Sequence, residues 1–314
     1  MITHPHVKVN LGLSVLRRRP DGYHDIETLF VPYHGLSDTL EIIVGDDWSE
    51  TSASLFARYA PSEIAQAIAP DGSLMVTLAR RGGVDWDPLK DLTARAYALL
   101  AADFKLPPMK IFLEKTAPVG AGLGGGSSDA AFALRMVAEL AGLDLGDEAL
   151  AAYAARLGSD CAFFVYDRPM FGEGRGEILT PYDLDLSAFD LQVIVPDGIS
   201  VSTAEAYKGI VPREAISGVS GPGGCSLRDA FPGRVLSCIP QGVAPWPPVP
   251  LREALSKPVE QWRDCLVNDF EATVFAAHPE LAALKRQLYA DGALYASMSG
   301  SGSALFALRP AAKK

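Results

Sequence analysis

The sequence predicts an α+β fold in two domains. Strand-like and helix-like periodicities are mixed on both sides of a turn-rich passage at Tyr182 to Phe189, without the regular strand–helix alternation of a parallel α/β sheet. A chain of 314 residues with 48% apolar composition can also fill two cores of ordinary size. The expected division is residues 1–185 and 186–314.

The elements follow in order. "VKVNLGLSVL" near the start alternates apolar and polar positions in the period of a half-buried strand, and "DTLEIIV" does the same. Lys90 to Phe104 spaces its apolar groups at helical intervals, and "MKIFLEK" returns to strand period. Helical patterns run from Ala130 to Ala141 and from Asp147 to Leu157. Gly142 and Gly158 follow them where left-handed C-caps are expected. "FDLQVIVPDG" opens the second half as a strand, and a helix at Pro279 to Asp291 precedes "LYASMSGSGSALFAL". Val211 to Pro250, crowded with proline, glycine and serine, reads equally as a linker or a surface excursion.

Bulk properties exclude several functions. A formal net charge of -10 opposes an electrostatic grip on nucleic acid or an anionic membrane, since both need a basic face. Cys161, Cys225, Cys238 and Cys265 show no C-x-x-C spacing, so neither zinc nor a disulfide framework is suggested, and a reducing cytoplasm fits best. No run of about eighteen apolar residues and no signal-like N-terminus occurs, so neither export nor a membrane anchor is expected.

The most informative stretch is "PVGAGLGGGSSDAAFAL", which lies between strand and helix patterns. Its glycines, at 120, 122, 124, 125 and 126, clear side chains away and permit dihedrals that turn successive N–H groups inward. Ser127 and Ser128 stand where the helix is expected to start, and either can cap it. Free N–H groups and the helix dipole there favour a phosphate. Gly120-x-Gly122-x-x-Gly125 formally matches the dinucleotide fingerprint, but the acid at the nominal distance, Glu139, falls inside the helix rather than after a second strand. A Walker A loop would need Gly-Lys-Ser or Gly-Lys-Thr, which is absent.

Together with "VKVNLGLSVLRRRPDGYHDIETLF" and "MSGSGSALFAL", this loop resembles the three motifs of the GHMP kinase superfamily, in order and across nearly the whole chain. The triple-glycine loop ending in Ser-Ser-Asp and the Asp-Gly-Tyr-His segment resemble the branch acting on a cytidyl diphosphate sugar alcohol rather than the homoserine, mevalonate or galactose kinases. The resemblance implies an N-terminal domain like ribosomal protein S5 domain 2 and a ferredoxin-like C-terminal domain. It implies ATP-dependent phosphorylation of the 2-hydroxyl of 4-diphosphocytidyl-2-C-methyl-D-erythritol, a step of the non-mevalonate isoprenoid route, with ATP and Mg²⁺.

The same resemblance implies that Pro118, Val119, Gly120, Ala121, Gly122, Leu123, Gly124, Gly125, Gly126, Ser127 and Ser128 wrap the ATP phosphates. Its catalytic pair falls on Lys8 and Asp160, and its substrate contacts fall on Asn10, Tyr23, His24, Phe30 and Thr203. Chemistry fits those types: a carboxylate can take the hydroxyl proton and an ammonium can balance charge on the transferred group. An aromatic face and an imidazole suit a pyrimidine. Taken without the resemblance, Lys8 reads as a solvent-facing alternate of its strand, Asp160 as a cap or turn residue, and Phe30 as core. Asn268 and Asp269 either touch ligand or brace the site. Gly300 to Gly302 is either a plain hairpin turn or a support for the phosphate loop. No residue is assigned as a metal ligand, with Ser127 and Ser128 the candidates for Mg²⁺. Asp91 replaces the usual asparagine of the family, which puts an adenine-side contact in question. Asp46 to Ala69 is longer than in the shorter members.

Overall fold

The computed structural model describes residues 1–213 and 249–311, so Cys225, Cys238 and most of the Val211 to Pro250 interval lie outside the described residues. The fold is α+β, as expected. The chain forms two compact units that interleave in sequence: Met1–Lys8, Pro32–Val119 and Gly124–Arg168 make the first, and Val9–Val31, Gly120–Leu123 and Pro169–Lys314 the second.

Strands β1 (Ile2–Thr3), β2 (His6–Arg18), β3 (His24–Ser37) and β4 (Thr39–Val44) open the chain. Helix α1 (Ser52–Arg58), strands β5 (Ile64–Ile68) and β6 (Leu74–Arg80), helix α2 (Leu92–Ala101) and strand β7 (Met109–Lys115) follow. The first unit carries a five-stranded sheet in the order β1-β4-β7-β6-β5. Its β6–β7 pair is parallel, which requires the crossover that α2 supplies. The interval Asp46 to Ala69 builds α1 and the edge strand β5, and Leu55 and Tyr59 pack with Ile43, Ala79 and Phe112. Helices α3 (Gly125–Leu140), α4 (Asp147–Leu157) and α5 (Cys161–Tyr166) complete this unit.

In the second unit, β8 (Met170–Glu173) and β9 (Ile178–Pro181) join β2 and β3 in the order β2-β3-β8-β9. The β2–β3 hairpin closes over Asp21 and Gly22, the latter at φ 87°, a conformation open to glycine at no steric cost. Strand β10 (Phe189–Ile194), helix α6 (Thr203–Lys208), helices α7 (Leu251–Leu255), α8 (Val259–Cys265), α9 (Glu271–Ala277) and α10 (Pro279–Ala290), and strands β11 (Tyr295–Met298) and β12 (Leu305–Pro310) follow. The last three strands form an antiparallel sheet in the order β10-β12-β11. Its core gathers Leu13, Val15, Phe270, Leu281, Met298 and Leu305.

Two local expectations are corrected. Strand β2 is buried on both faces from His6 to Val15 rather than half-buried, because its polar alternates Lys8 and Asn10 find partners inside the protein. Gly142 is left-handed at φ 68°, but Gly158 is extended. What Gly158 answers is proximity: a Cβ there would lie 3.1 Å from Cys161 Sγ as the chain turns into α5.

Leu78 is fully buried in β6, an interior strand of the first unit's sheet. Leu78→Ala is expected to cost about 2–5 kcal/mol through lost transfer energy and the cavity left behind, read as a lower urea midpoint at unchanged slope.

Candidate active site

Within the first unit, β2 carries Lys8 and the N-terminal end of α5 carries Asp160, with Lys8 Nζ 3.3 Å from Asp160 Oδ2. Lys8 is 3% exposed, so its ammonium is held by protein groups rather than by water. Asp160 occupies the cap position of α5 but its side chain makes no cap hydrogen bond, which leaves the carboxylate to Lys8. The neighbouring Cys161 is no competitor as a nucleophile, because burial pushes its thiol up to about 12.

The start of α3 adjoins this pair. Gly124 caps the helix at φ 72°, and a Cβ there would come within 3.0 Å of Lys8 Cε and 3.2 Å of Phe164. Ser127 and Ser128 therefore sit inside the first turn rather than capping it, since the helix begins two residues earlier, at Gly125. With no side-chain cap, the N–H groups of that turn remain available to an anion. Ser128 Oγ is buried without a hydrogen-bond partner.

A second lysine lies against the same helix start. Lys115, at the end of β7, is buried between Asp38 and Asp129, its Nζ 2.5 Å from Asp129 Oδ2 and also bonded to Asp38. Asp38 accepts the N–H of Thr116 at 2.6 Å and of Ala117 at 2.8 Å, which fixes the chain just before the glycine loop. Burial, with Asp38 as a second negative group, pushes the Asp129 carboxyl well up although Lys115 draws it down. Its Oδ1 has no hydrogen-bond partner.

In the second unit, Gly120–Leu123 packs on the turn Ser299 to Gly302. Ser299 Oγ donates to Gly122 O at 3.0 Å, and Ala304 N donates to Ala121 O at 3.1 Å. A Cβ on Gly122, at φ 76°, would lie 2.1 Å from Ser299 O. The small-residue turn thus supports the loop rather than merely closing a hairpin. Asn268 Nδ2 donates to Met298 O and Gly300 O, both at 2.8 Å, and Asp269 accepts Val15 N at 2.7 Å and takes both arms of Arg213. These two residues are braces.

The expected substrate residues all fall in this unit. Asn10 Nδ2 donates to Thr28 Oγ1 at 3.0 Å, and Thr203 Oγ1 lies 3.0 Å from Ser301 Oγ. Phe30 is a core position, 1% exposed and set against Gly172. Tyr23 is 57% exposed with Arg175 over its ring. The His24 ring stacks on Tyr207, centroids 4.6 Å apart and 14° from parallel, and lines a cleft of about 770 Å³ with Arg17, Arg18 and Lys208. Burial and then Arg18 lower the His24 imidazole from its usual value, which favours the neutral ring with one donor and one acceptor.

Comparison with known proteins follows the same lines. Residues 91–168 match the GHMP kinases N terminal domain, and residues 251–313 the GHMP kinases C terminal domain. Over 308 residues the chain is 38% identical to the 4-diphosphocytidyl-2-C-methyl-D-erythritol kinase of Bacteroides fragilis, covering 98% of this chain and 92% of that protein. The kinase of that name from Bacteroides thetaiotaomicron is 39% identical over 98% and 92% of the two chains. A solved 4-(cytidine 5'-diphospho)-2C-methyl-D-erythritol kinase superposes with a TM-score of 0.64 at 30% identity, over 98% of this chain and 90% of that one. The chain belongs to the GHMP kinases, in the branch of the 4-diphosphocytidyl-2-C-methyl-D-erythritol kinases.

Two features of this GHMP kinase escape a reading of its sequence. Tyr207 pairs with His24, and its only signal was its place four residues after Thr203, one helical turn on. The Asp38–Lys115–Asp129 cluster brings together three residues far apart in the chain, and no local spacing announces it. Asp91 caps α2 by accepting Thr93 N at 2.9 Å, and it accepts Trp86 Nε1 at 3.0 Å.

Gly122→Ala is expected to destabilise by about 2–3 kcal/mol, since both a left-handed backbone and a carbonyl contact oppose the methyl group. Gly120→Ala, at φ 73° with nothing within 4 Å, is expected to lose only about 1 kcal/mol. Thermal midpoints of the two variants check the difference.

Proposed function

We propose that this chain phosphorylates the 2-hydroxyl of 4-diphosphocytidyl-2-C-methyl-D-erythritol with ATP, releasing ADP. The observation that carries the reading is the ion pair of buried Lys8 with half-buried Asp160, set against Gly124 at the start of α3, which no side chain caps. Identity of 38% across nearly the whole chain with a kinase named for that substrate supports the choice of acceptor.

The residues present suit ATP. The open first turn of α3, the partnerless Ser128 Oγ, and Gly122 and Gly124, where a side chain would crowd its neighbours, make an anion cradle from Pro118 to Ser128. ATP supplies the phosphoryl group, and Mg²⁺ would offset its charge, with Ser127 or Ser128 as the proposed ligand. Asp160 accepts the proton of the acceptor hydroxyl as the new O–P bond forms. Lys8 holds that carboxylate in place and adds positive charge toward the transferred group. Lys115, 3.7 Å from a Cβ built on Gly125, ties the loop to β7 through Asp38 and Asp129.

For the cytidyl end, the His24–Tyr207 stack offers an aromatic face and a neutral imidazole edge, and Arg17, Arg18 and Lys208 offer charge to a diphosphate. Tyr23, Asn10, Thr203 and Phe30 are proposed around the same substrate. A cytoplasmic setting is proposed on the free, buried thiols of Cys161 and Cys265. Among the described residues no helix is long and apolar enough to cross a membrane.

ADP release should occur with the cytidyl substrate and not with mevalonate, homoserine or galactose. Turnover with one of those alcohols would keep the phosphate loop and overturn the cytidine assignment. Asp160→Asn should slow kcat by about 10²–10⁴-fold with ATP affinity near normal, and unchanged turnover would remove Asp160 from the reaction. Tyr207→Ala should raise KM for the cytidyl substrate about tenfold or more while sparing that for ATP. An equal rise for ATP would refute the placement of the base.

A further inference from the structure

His6, His34 and Asp167 converge in the first unit, away from any role given to them above. Their ligand atoms all lie within 4.8 Å of one another. His6 Nε2 is 2.9 Å from Asp167 Oδ1, and His34 Nε2 is 3.9 Å from the same oxygen. The His6 residue is 4% exposed, yet its Nε2, although within ion-pair distance of Asp167, makes no hydrogen bond. A buried imidazole nitrogen left so is costly unless something else uses its lone pair. The imidazole rings lie 4.2 Å apart at 44°, so they do not pair through their nitrogens either.

We propose that these three residues form a binding site for a borderline divalent transition metal, Zn²⁺ or Co²⁺ in class. Two ligand atoms held by bonds of about 2.0–2.2 Å at tetrahedral to octahedral angles stand roughly 2.8–3.6 Å apart; the 2.9 Å separation falls in that range and the 3.9 Å one, to the exposed His34, lies just outside it. Two neutral imidazoles and one carboxylate are a donor set that such cations favour over Mg²⁺ or Ca²⁺. Since His34 and Asp167 have side chains 67% and 45% exposed, a cation can enter and keep water in its remaining positions.

The site has a structural consequence. His6 and Lys8 are alternate residues of β2, on one face, and they meet opposite ends of α5: Lys8 meets Asp160 before the helix and His6 meets Asp167 after it. A cation shared by His6, Asp167 and His34 at the end of β3 fixes the far end of the helix whose near end carries Asp160. The metal is a clamp, separate from the Mg²⁺ that accompanies the nucleotide.

Titration of the full chain with Co²⁺, without nucleotide or Mg²⁺, tests this. Ligand-field bands in the visible should saturate at one equivalent and be displaced by Zn²⁺. His34→Gln and Asp167→Asn, both at exposed positions, should each weaken Co²⁺ binding by more than about a hundredfold, beyond the roughly 10–100-fold that loss of an outer-shell partner costs. Zn²⁺ should raise the thermal midpoint of the parent protein and not of His34→Gln. Absence of bands, affinity unchanged from the parent protein in both variants, or thiolate charge-transfer bands that place the metal on cysteine would each overturn the assignment.

Discussion

Burial of an ammonium group is the constraint on which the first unit depends. Lys8 and Lys115 are both removed from water, and a cation in that setting is tolerated only where carboxylates meet it. Lys8 draws Asp160 to the start of α5, and Lys115 draws Asp38 and Asp129 together from β3–β4 and α3. The two lysines flank the opening of α3, so the cost of burying charge is offset by groups that also fix the glycine-rich turn. What results is a helix N-terminus held between two buried lysines, each met by carboxylate.

The second unit solves a different problem with backbone rather than charge. Gly122 and Ser299 approach so closely that no side chain fits, and the turn from Ser299 to Gly302 is held by the amide of Asn268. Asp269 fastens the preceding residues to β2 through Val15. A loop anchored by main-chain contacts has few ways to rearrange, which suits residues that must stand at fixed distances from a ligand. The stack of His24 on Tyr207, by contrast, borders an open cleft with basic side chains at its rim.

Much of this was legible in the chain itself. The strand and helix periods of β4, β7, α4 and α10 carried over to the structure, because each buries one face or a whole short run. That Lys8 and Asp160 stand together was legible only through the motif around them, since each alone has a commoner reading, and for Asp160 the cap position was also occupied. The capping role of Ser127 and Ser128 was misread because left-handed Gly124 starts the helix earlier than serine preference would. Tyr207 and the Asp38–Lys115–Asp129 cluster were illegible: pairing across long stretches of chain leaves no period in the sequence.

The sequence by itself determined the glycine-rich loop, the order of the motifs and hence the family, because these rest on local backbone freedom and on residue type at fixed spacing. Tertiary structure alone decided which polar residues of β2 face inward, which carboxylate meets which lysine, and that Gly120–Leu123 groups with the second unit while its neighbours group with the first. The physical reason is that partner choice for a buried charge is set by three-dimensional proximity under desolvation, and no one-dimensional pattern encodes it.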